Sequence, residues 1–275
     1  MESIKLLKGK SKFIRCETLK IHKLAPETRV ASSLSPIEIF VSLYYGNILN
    51  YNSKDPRDDN RDRFIISKGH GSISMYPLLA DLGFFDKSEL DNVCKDGTFL
   101  GGIPDPIIPG YETVNGSLGH GLGVGAGIAV ALKTKQKSQS VVVLTGDGEL
   151  NEGSNWEAIM FAQQHKLDNL TLIVDYNKVS MLDFSKNIID MNPLNKKFEA
   201  FNWDVYEVED GHDIEEVYST LKSVIKTRKQ KPKVVIVNTI KGKGVPLLET
   251  HALSHILSLK SEDIDSLIKE IENAN

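Results

Sequence analysis

The chain has 275 residues, enough for one large α/β domain with a sizeable core, and its 33 basic and 37 acidic residues leave a net charge of -4 that argues against a general nucleic-acid surface. Two cysteines, Cys16 and Cys94, rule out a disulfide framework or a Cys-rich zinc site and point to a reducing, cytoplasmic setting. No stretch approaches the roughly 18 consecutive apolar residues of a membrane span, and the basic N-terminus is too interrupted by charge for a signal peptide.

In chain order, helices are expected over 16–31 and 35–49, the second with Ser35 as cap and Pro36 in its first turn. "RFIIS" (63–67) reads as a short buried strand, and the segment after it as a helix ending at Gly83. Residues 117–133 carry apolar and small residues nearly all round, the pattern of a buried helix. Strand 141–145, helix 152–165, strands 170–175 and 204–208, helix 213–228 and strand 233–239 follow, with an amphipathic helix over 261–274. Strands separated by helical lengths of chain imply a parallel sheet flanked by helices, in a single domain spanning 1–275.

One stretch concentrates charge where a buried strand ends: "VVVLTGDGELNEGSNW", 141–156, with Asp147, Glu149 and Glu152. Such charge is costly unless a cation or donor offsets it. Parallel strands lie about 4.8 Å apart, and ligands bind beyond their carboxyl ends. Asp147 after one strand and Asn177 after the next therefore reach a common point, and the main-chain carbonyl of Val179 is a third hard oxygen for magnesium, which takes oxygen ligands and completes its shell with phosphate and water. Gly146 and Gly148 allow close backbone approach of that phosphate, and the following helix start offers N–H donors. The plainer alternative is that GDG is only a tight turn.

These residues carry a resemblance. "GDGELNEGSNWEAIMFAQQHKLDNLTLIVDYNK" resembles the thiamine-diphosphate motif of the transketolase family, and "DRFIISKGHGS", "PGYETVNGSLGHGLGVGAGIAVA", "FNWDVYEVEDGHD" and "NTIKGKGVPLLE" resemble further family segments in the right order. The resemblance implies the thiamine-diphosphate-binding fold, with Asp147, Asn177 and the Val179 carbonyl holding Mg2+ (or Ca2+). It places Gly146, Gly148 and the Glu149 N–H at the diphosphate, with His70 and His255 as imidazole donors. Gly116 and Leu118 would meet the aminopyrimidine ring, and Glu152 would join a proton relay across a subunit interface, so that Glu152 and His255 are the catalytic candidates. Lys241 of "KGKG" is a candidate for a substrate phosphate, against the plainer reading of a solvated loop lysine.

A pyrimidine-binding domain with its catalytic Glu, and the family's C-terminal domain, are not visible. The resemblance therefore implies a split enzyme, with a C-terminal transketolase-like subunit as partner in an α2β2 assembly, moving a two-carbon unit between small ketone and aldehyde substrates. Two departures bear on substrate. Where the family commonly reads "GHPGGSLS" this chain reads "TRVASSLS", placing Arg29 for a histidine; where it reads "GHPD" this chain reads "GIPD", placing Ile103 for another. Arg29 suits an anionic acceptor, or is an ordinary surface ion pair. Ile103 cannot bond a donor hydroxyl, which favours a pyruvate-like donor and acetyl transfer, as in the related deoxyxylulose-phosphate synthases. "GLGVGA" matches a dinucleotide fingerprint but follows no buried strand, and a non-catalytic scaffold is the reading from a different class.

Overall fold

The structure is a computed structural model that describes residues 2–273. Five strands, β1 (Arg63–Ile66), β2 (Val141–Gly146), β3 (Leu170–Tyr176), β4 (Asp204–Val208) and β5 (Lys233–Asn238), form one parallel sheet in the order β1-β2-β3-β5-β4. The helices in chain order are α1 (Glu2–Leu24), α2 (Val30–Leu34), α3 (Ile37–Tyr44), α4 (Met75–Asp81), α5 (Gly121–Thr134), α6 (Gly153–Gln164), α7 (Ser185–Ile188), α8 (Leu194–Ala200), α9 (Ile214–Ile225), α10 (Pro246–Thr250) and α11 (Ser261–Asn273).

Both faces of the sheet are covered, which is why its central strands read as unbroken apolar runs. Val142, Leu144, Ile173 and Val235 pack on the layer of α1, α3 and α9. Val141, Val143, Leu172 and Val234 pack on the layer of α5, α6 and α8. Among the described residues no helix is long and apolar enough to cross a membrane.

The strands fall where the sequence places them, within a residue at each end. The helices depart in three places. The first begins at Glu2, not at 16, because Leu7, Ile14, Leu19 and Ile21 form a buried stripe while Lys5, Lys8, Lys20 and Lys23 face solvent, so the charges mark a face and not a break. Beyond α1 the chain turns at Ala25–Thr28 and breaks again at Ser35–Pro36. Ser35 caps nothing: its hydroxyl donates at 2.6 Å to Asp175 Oδ2.

The third departure concerns residues 116–120, which form a turn before α5. Gly119 has φ +87°, and a Cβ there would lie 2.6 Å from Glu152 Cβ. Helix α5 itself is buried only on one face, through Gly121, Leu122, Gly125, Ala126 and Ala129; Gly123, Val124 and Gly127 are open. The expected helix over 261–274 is α11, with position 274 outside the described residues.

Candidate functional site

The register of the sheet brings the candidate ligands together. Gly146 pairs with Asp175 and Tyr176 with Asn238, so Asp147, Asn177 and the Thr239–Lys241 segment leave the same edge side by side. Beyond β1 the turn Gly69–Gly71 carries His70 to that edge. Gly69 is required there, since a Cβ on it would lie 2.5 Å from the Asn115 carbonyl oxygen. A cleft of about 730 Å3 opens beside Asp147, Asn177 and Lys241.

Asp147 is 4% exposed, and its Oδ2 accepts from the Lys178 N–H at 3.1 Å and the Ser185 hydroxyl at 2.8 Å. Burial pushes its carboxyl above the usual range, the sign of a carboxylate with too few donors for its depth. Asn177 donates through Nδ2 to Asp175 Oδ2 at 3.2 Å and accepts the Val179 N–H on Oδ1 at 3.2 Å. The Val179 carbonyl receives the Lys241 ammonium at 3.0 Å.

Lys241 is not the solvated loop lysine that composition suggests. It is 4% exposed, its Nζ lies 3.1 Å from His255 Nδ1, and burial, with Lys68 nearby, pushes its ammonium down to about 8. Its loop is braced from behind: the Ile240 N–H donates to His212 Nε2 at 2.8 Å, His212 Nδ1 faces Glu38 Oε2 at 3.1 Å, and Arg15 bonds both Glu38 and the Lys243 carbonyl, each at 2.6 Å.

His70 and His255 stack edge to face with centroids 4.9 Å apart. Burial and the surrounding Lys68, Lys241 and Arg29 charges push them down to about 3 and about 4, so both are neutral at pH 7. Because His255 Nδ1 faces the Lys241 ammonium, which can only donate, its proton sits on Nε2. The result is an anion-seeking wall of two neutral imidazoles, Lys241 and the exposed Arg29.

Gly146 and Glu149 behave differently from the simple diphosphate cradle. The Gly146 N–H is taken by Glu149 Oε2 at 3.2 Å, so it is not free for a phosphate. The Glu149 side chain, 2% exposed, turns inward, accepting the Ser67 hydroxyl and the Gly119 N–H on Oε1. It thereby ties the turn containing Gly116 and Leu118 to the ends of β1 and β2. Gly148 and Glu149 open a short 3-10 turn over Gly148–Asn151 that lies between Asp147 and α6, and α6 starts at Gly153, within a residue of the expected 152.

Glu152 is exposed beside Gly119, and Ile103, 47% exposed, roofs the site: a Cβ on Gly69 would lie 3.4 Å from its Cγ2 and one on Gly116 3.7 Å from its Cδ1.

Sequence reasoning missed the buried centre behind these residues. Asp175, fully buried, accepts the Lys68 ammonium, the Ser35 hydroxyl, the Asn177 amide and the Thr239 hydroxyl. Burial alone would raise its carboxyl, but Lys68, Ser35 and Thr239 hold it below the usual range. The available signal was a charge inside each of two apolar blocks, "FIISKGH" and "TLIVDYN".

The donor set fits a hard cation carried with an anion. It offers one carboxylate, one amide oxygen and one carbonyl, and among the described residues no three His, Cys, Asp or Glu side chains converge as a self-sufficient metal centre. Further oxygens must come from a ligand, and the imidazole and ammonium wall is placed to hold a phosphate.

The chain's similarities agree with this chemistry. The family profile "Transketolase, thiamine diphosphate binding domain" matches residues 23–272. An apulose-4-phosphate transketolase subunit of Actinobacillus succinogenes is 39% identical over 269 residues, covering 97% of this chain and 96% of that one. The 6-deoxy-6-sulfo-D-fructose transketolase subunit SqwG of a Clostridium species is 35% identical, covering 88% of each. Among solved structures, Campylobacter jejuni transketolase superimposes with a TM-score of 0.89 at 30% identity, covering 97% of this chain but 42% of that one. The chain belongs to the transketolase family, and what it contributes is the family's thiamine-diphosphate-binding domain.

Proposed function

We propose that residues 1–275 act as one diphosphate-anchoring domain of a split, Mg2+-dependent transketolase that transfers a two-carbon ketol unit between small sugar phosphates. The observation that carries this reading is the convergence of Asp147, Asn177 and the Val179 carbonyl beside His70, His255 and Lys241 on one sheet edge. Asp147, Asn177 and Val179 would hold Mg2+ (or Ca2+); the Gly148 and Glu149 backbone, His70 and the Nε2–H of His255 would hold the diphosphate. Gly116 and Leu118 would support the aminopyrimidine. Thiamine diphosphate, when bound, supplies the nucleophilic carbon and the electron sink for breaking a bond beside a carbonyl.

The chain's own residues bind, orient and move protons. The neutral imidazole of His255 donates a hydrogen bond from Nε2, which suits it to a donor hydroxyl as well as to phosphate. Glu152, exposed beside the 116–120 turn, is placed for a proton relay with a second chain. The open side of α5 at Gly123 and Gly127, which shares a groove with the exposed Phe161 of α6, is apolar surface suited to subunit contact. Relatives of matching length that are named as transketolase subunits support a partner subunit, which we propose carries the pyrimidine-binding half and its catalytic Glu, in an α2β2 assembly in the cytoplasm. Arg29 is proposed as the contact for an anionic acceptor, and Lys241 for phosphate.

A second reading, acetyl transfer from pyruvate, is favoured by one observation: the apolar roof at Ile103. The test is to co-purify the chain with its partner, load thiamine diphosphate and Mg2+, and follow consumption of hydroxypyruvate and pyruvate separately. Faster loss of hydroxypyruvate supports ketol transfer, faster loss of pyruvate supports the second reading, and failure of the assembly to retain thiamine diphosphate removes both.

A further inference from the structure

Asn177 is a useful metal ligand in only one orientation. The two ends of a carboxamide have nearly the same shape, but one accepts and the other donates, and a cation can be met only by the oxygen. In this site both ends are committed: Nδ2 donates to Asp175 Oδ2 and Oδ1 accepts the Val179 N–H, each at 3.2 Å. Reversing the amide would set its oxygen against a carboxylate and its NH2 against an N–H.

Resting on the cofactor reading above, we infer that Asp175 is a positioning residue, whose buried carboxylate fixes the polarity of the Asn177 carboxamide and so presents Oδ1 to the cation. Asp175 is fully buried, and its donors come from four separate segments: Ser35 between α2 and α3, Lys68 after β1, Asn177 after β3 and Thr239 after β5. A carboxylate offers about four lone-pair sites. Three of the donors share Oδ2, Thr239 holds Oδ1, and the carboxylate is fully buried behind Asn177, so it acts through Asn177. The same hub joins three strand ends, so it sets the spacing of the ligands as well as the orientation of one of them.

The test compares two double variants that both replace the Lys68–Asp175 ion pair with neutral groups. In Lys68→Met/Asp175→Asn an oxygen still faces Asn177, because the new amide NH2 can turn to the Thr239 hydroxyl. In Lys68→Met/Asp175→Leu no acceptor remains. Each is assembled with its partner chain, thiamine diphosphate is added to saturation, and Mn2+ is titrated with free Mn2+ read by electron paramagnetic resonance. The Asn variant is expected to stay within about threefold of the wild type and the Leu variant to bind Mn2+ about 10- to 100-fold more weakly.

Equal Mn2+ affinity in the two variants overturns the inference. Thr239→Val, which strips a donor from the other carboxylate oxygen, is expected to lower Tm and leave Mn2+ affinity unchanged; a matching loss of affinity there would make the effect a general loosening and also overturn it. If the Leu variant does not fold, Lys68→Met/Asp175→Ala asks the same question. A wild-type assembly that binds no Mn2+ with thiamine diphosphate would instead remove the cofactor reading on which the inference rests.

Discussion

At the amino edge of the sheet Lys233, 1% exposed, donates to the carbonyls of Asp168 and Thr227 at 2.7 Å and of Ile225 at 3.4 Å. At the carboxyl edge Lys241, 4% exposed, donates to the Val179 carbonyl at 3.0 Å and faces His255 Nδ1 at 3.1 Å. An ammonium has three protons, so the fold uses all of one lysine and leaves part of the other. The carboxylates repeat the contrast. Asp62, at the amino edge, accepts on both oxygens from the Asn50 and Ser140 N–H groups and from Lys226, whereas the Lys178 and Ser185 donors to Asp147 share one oxygen. Burial of charge is therefore common to both edges. What marks the site is buried charge whose bonding capacity the fold has not used.

The most severe break of this contrast is Asp147→Asn. It should lower Mn2+ affinity of the assembled, thiamine-diphosphate-loaded protein by on the order of 100-fold. The metal-free Tm should hold or rise, because burial already disfavours the Asp147 charge and the amide removes it. A fall of several degrees in the metal-free Tm would place Asp147 with the structural carboxylates of the opposite edge.

Lys241→Met comes next. Loss of the charged donor proposed for phosphate should weaken thiamine diphosphate binding by about 10- to 100-fold, the equivalent of roughly 1.5–3 kcal/mol for a hydrogen bond to a charged group. Calorimetric titration measures the first effect and a thermal melt the second: Tm should not fall, since burial pushes this ammonium down to about 8 and the apolar side chain escapes that penalty. Unchanged cofactor affinity with a lower Tm would make Lys241 a second Lys233.

Lys233→Met reverses the expectation, with stability lost and cofactor affinity kept. An acceptor left without its donor costs about 1–3 kcal/mol, and urea unfolding reads the difference. The pH dependence has a definite sign. Burial lowers the folded Lys233 pKa to about 7 from 10.5. Between those values the unfolded chain holds a proton that the folded chain has released, so the stability of the wild type relative to Lys233→Met should rise with pH from about 7 to about 10.5 and stay level below 7. A difference that is flat across that window would mean Lys233 keeps its charge when buried.

The two edges were unequally legible in the sequence. Asp147 and Asn177 stood out because each polar residue ends an apolar strand, and the parallel sheet followed from the alternation of strands with helices. The Lys68–Asp175 pair did not, because its partners are 107 residues apart and each sits in a block that otherwise reads as strand or turn. Lys241 was hidden by its company: "KGKG" has the composition of a solvated loop, and only the brace of His212, Glu38 and Arg15 turns it inward. The outward side of α5 was hidden for the opposite reason, since glycine and valine look the same whether they face a core or the surface. The first half of α1 was obscured by alternating charge, which masks a buried stripe that needs the other layer to be seen.

Ile103→His probes the place on the carboxyl edge where the side chain offers no polar atom. The isoleucine lies over Gly69 and Gly116, beside the turn that carries His70, so whatever occupies the site meets a methyl group where an imidazole would offer a donor. A fully buried hydroxyl without a partner costs about 1–3 kcal/mol. Ile103 is 47% exposed in this chain, which leaves room for water and puts the expected effect at the lower end. The variant should therefore raise the ratio of hydroxypyruvate to pyruvate consumption by about fivefold, close to 1 kcal/mol, with Tm unchanged. A donor hydroxyl has His70, the Nε2–H of His255, the unused proton of Lys241 or the partner chain to turn to. An unchanged ratio would mean that one of these already binds it, and that the loss of a histidine at position 103 has been made good elsewhere in the site.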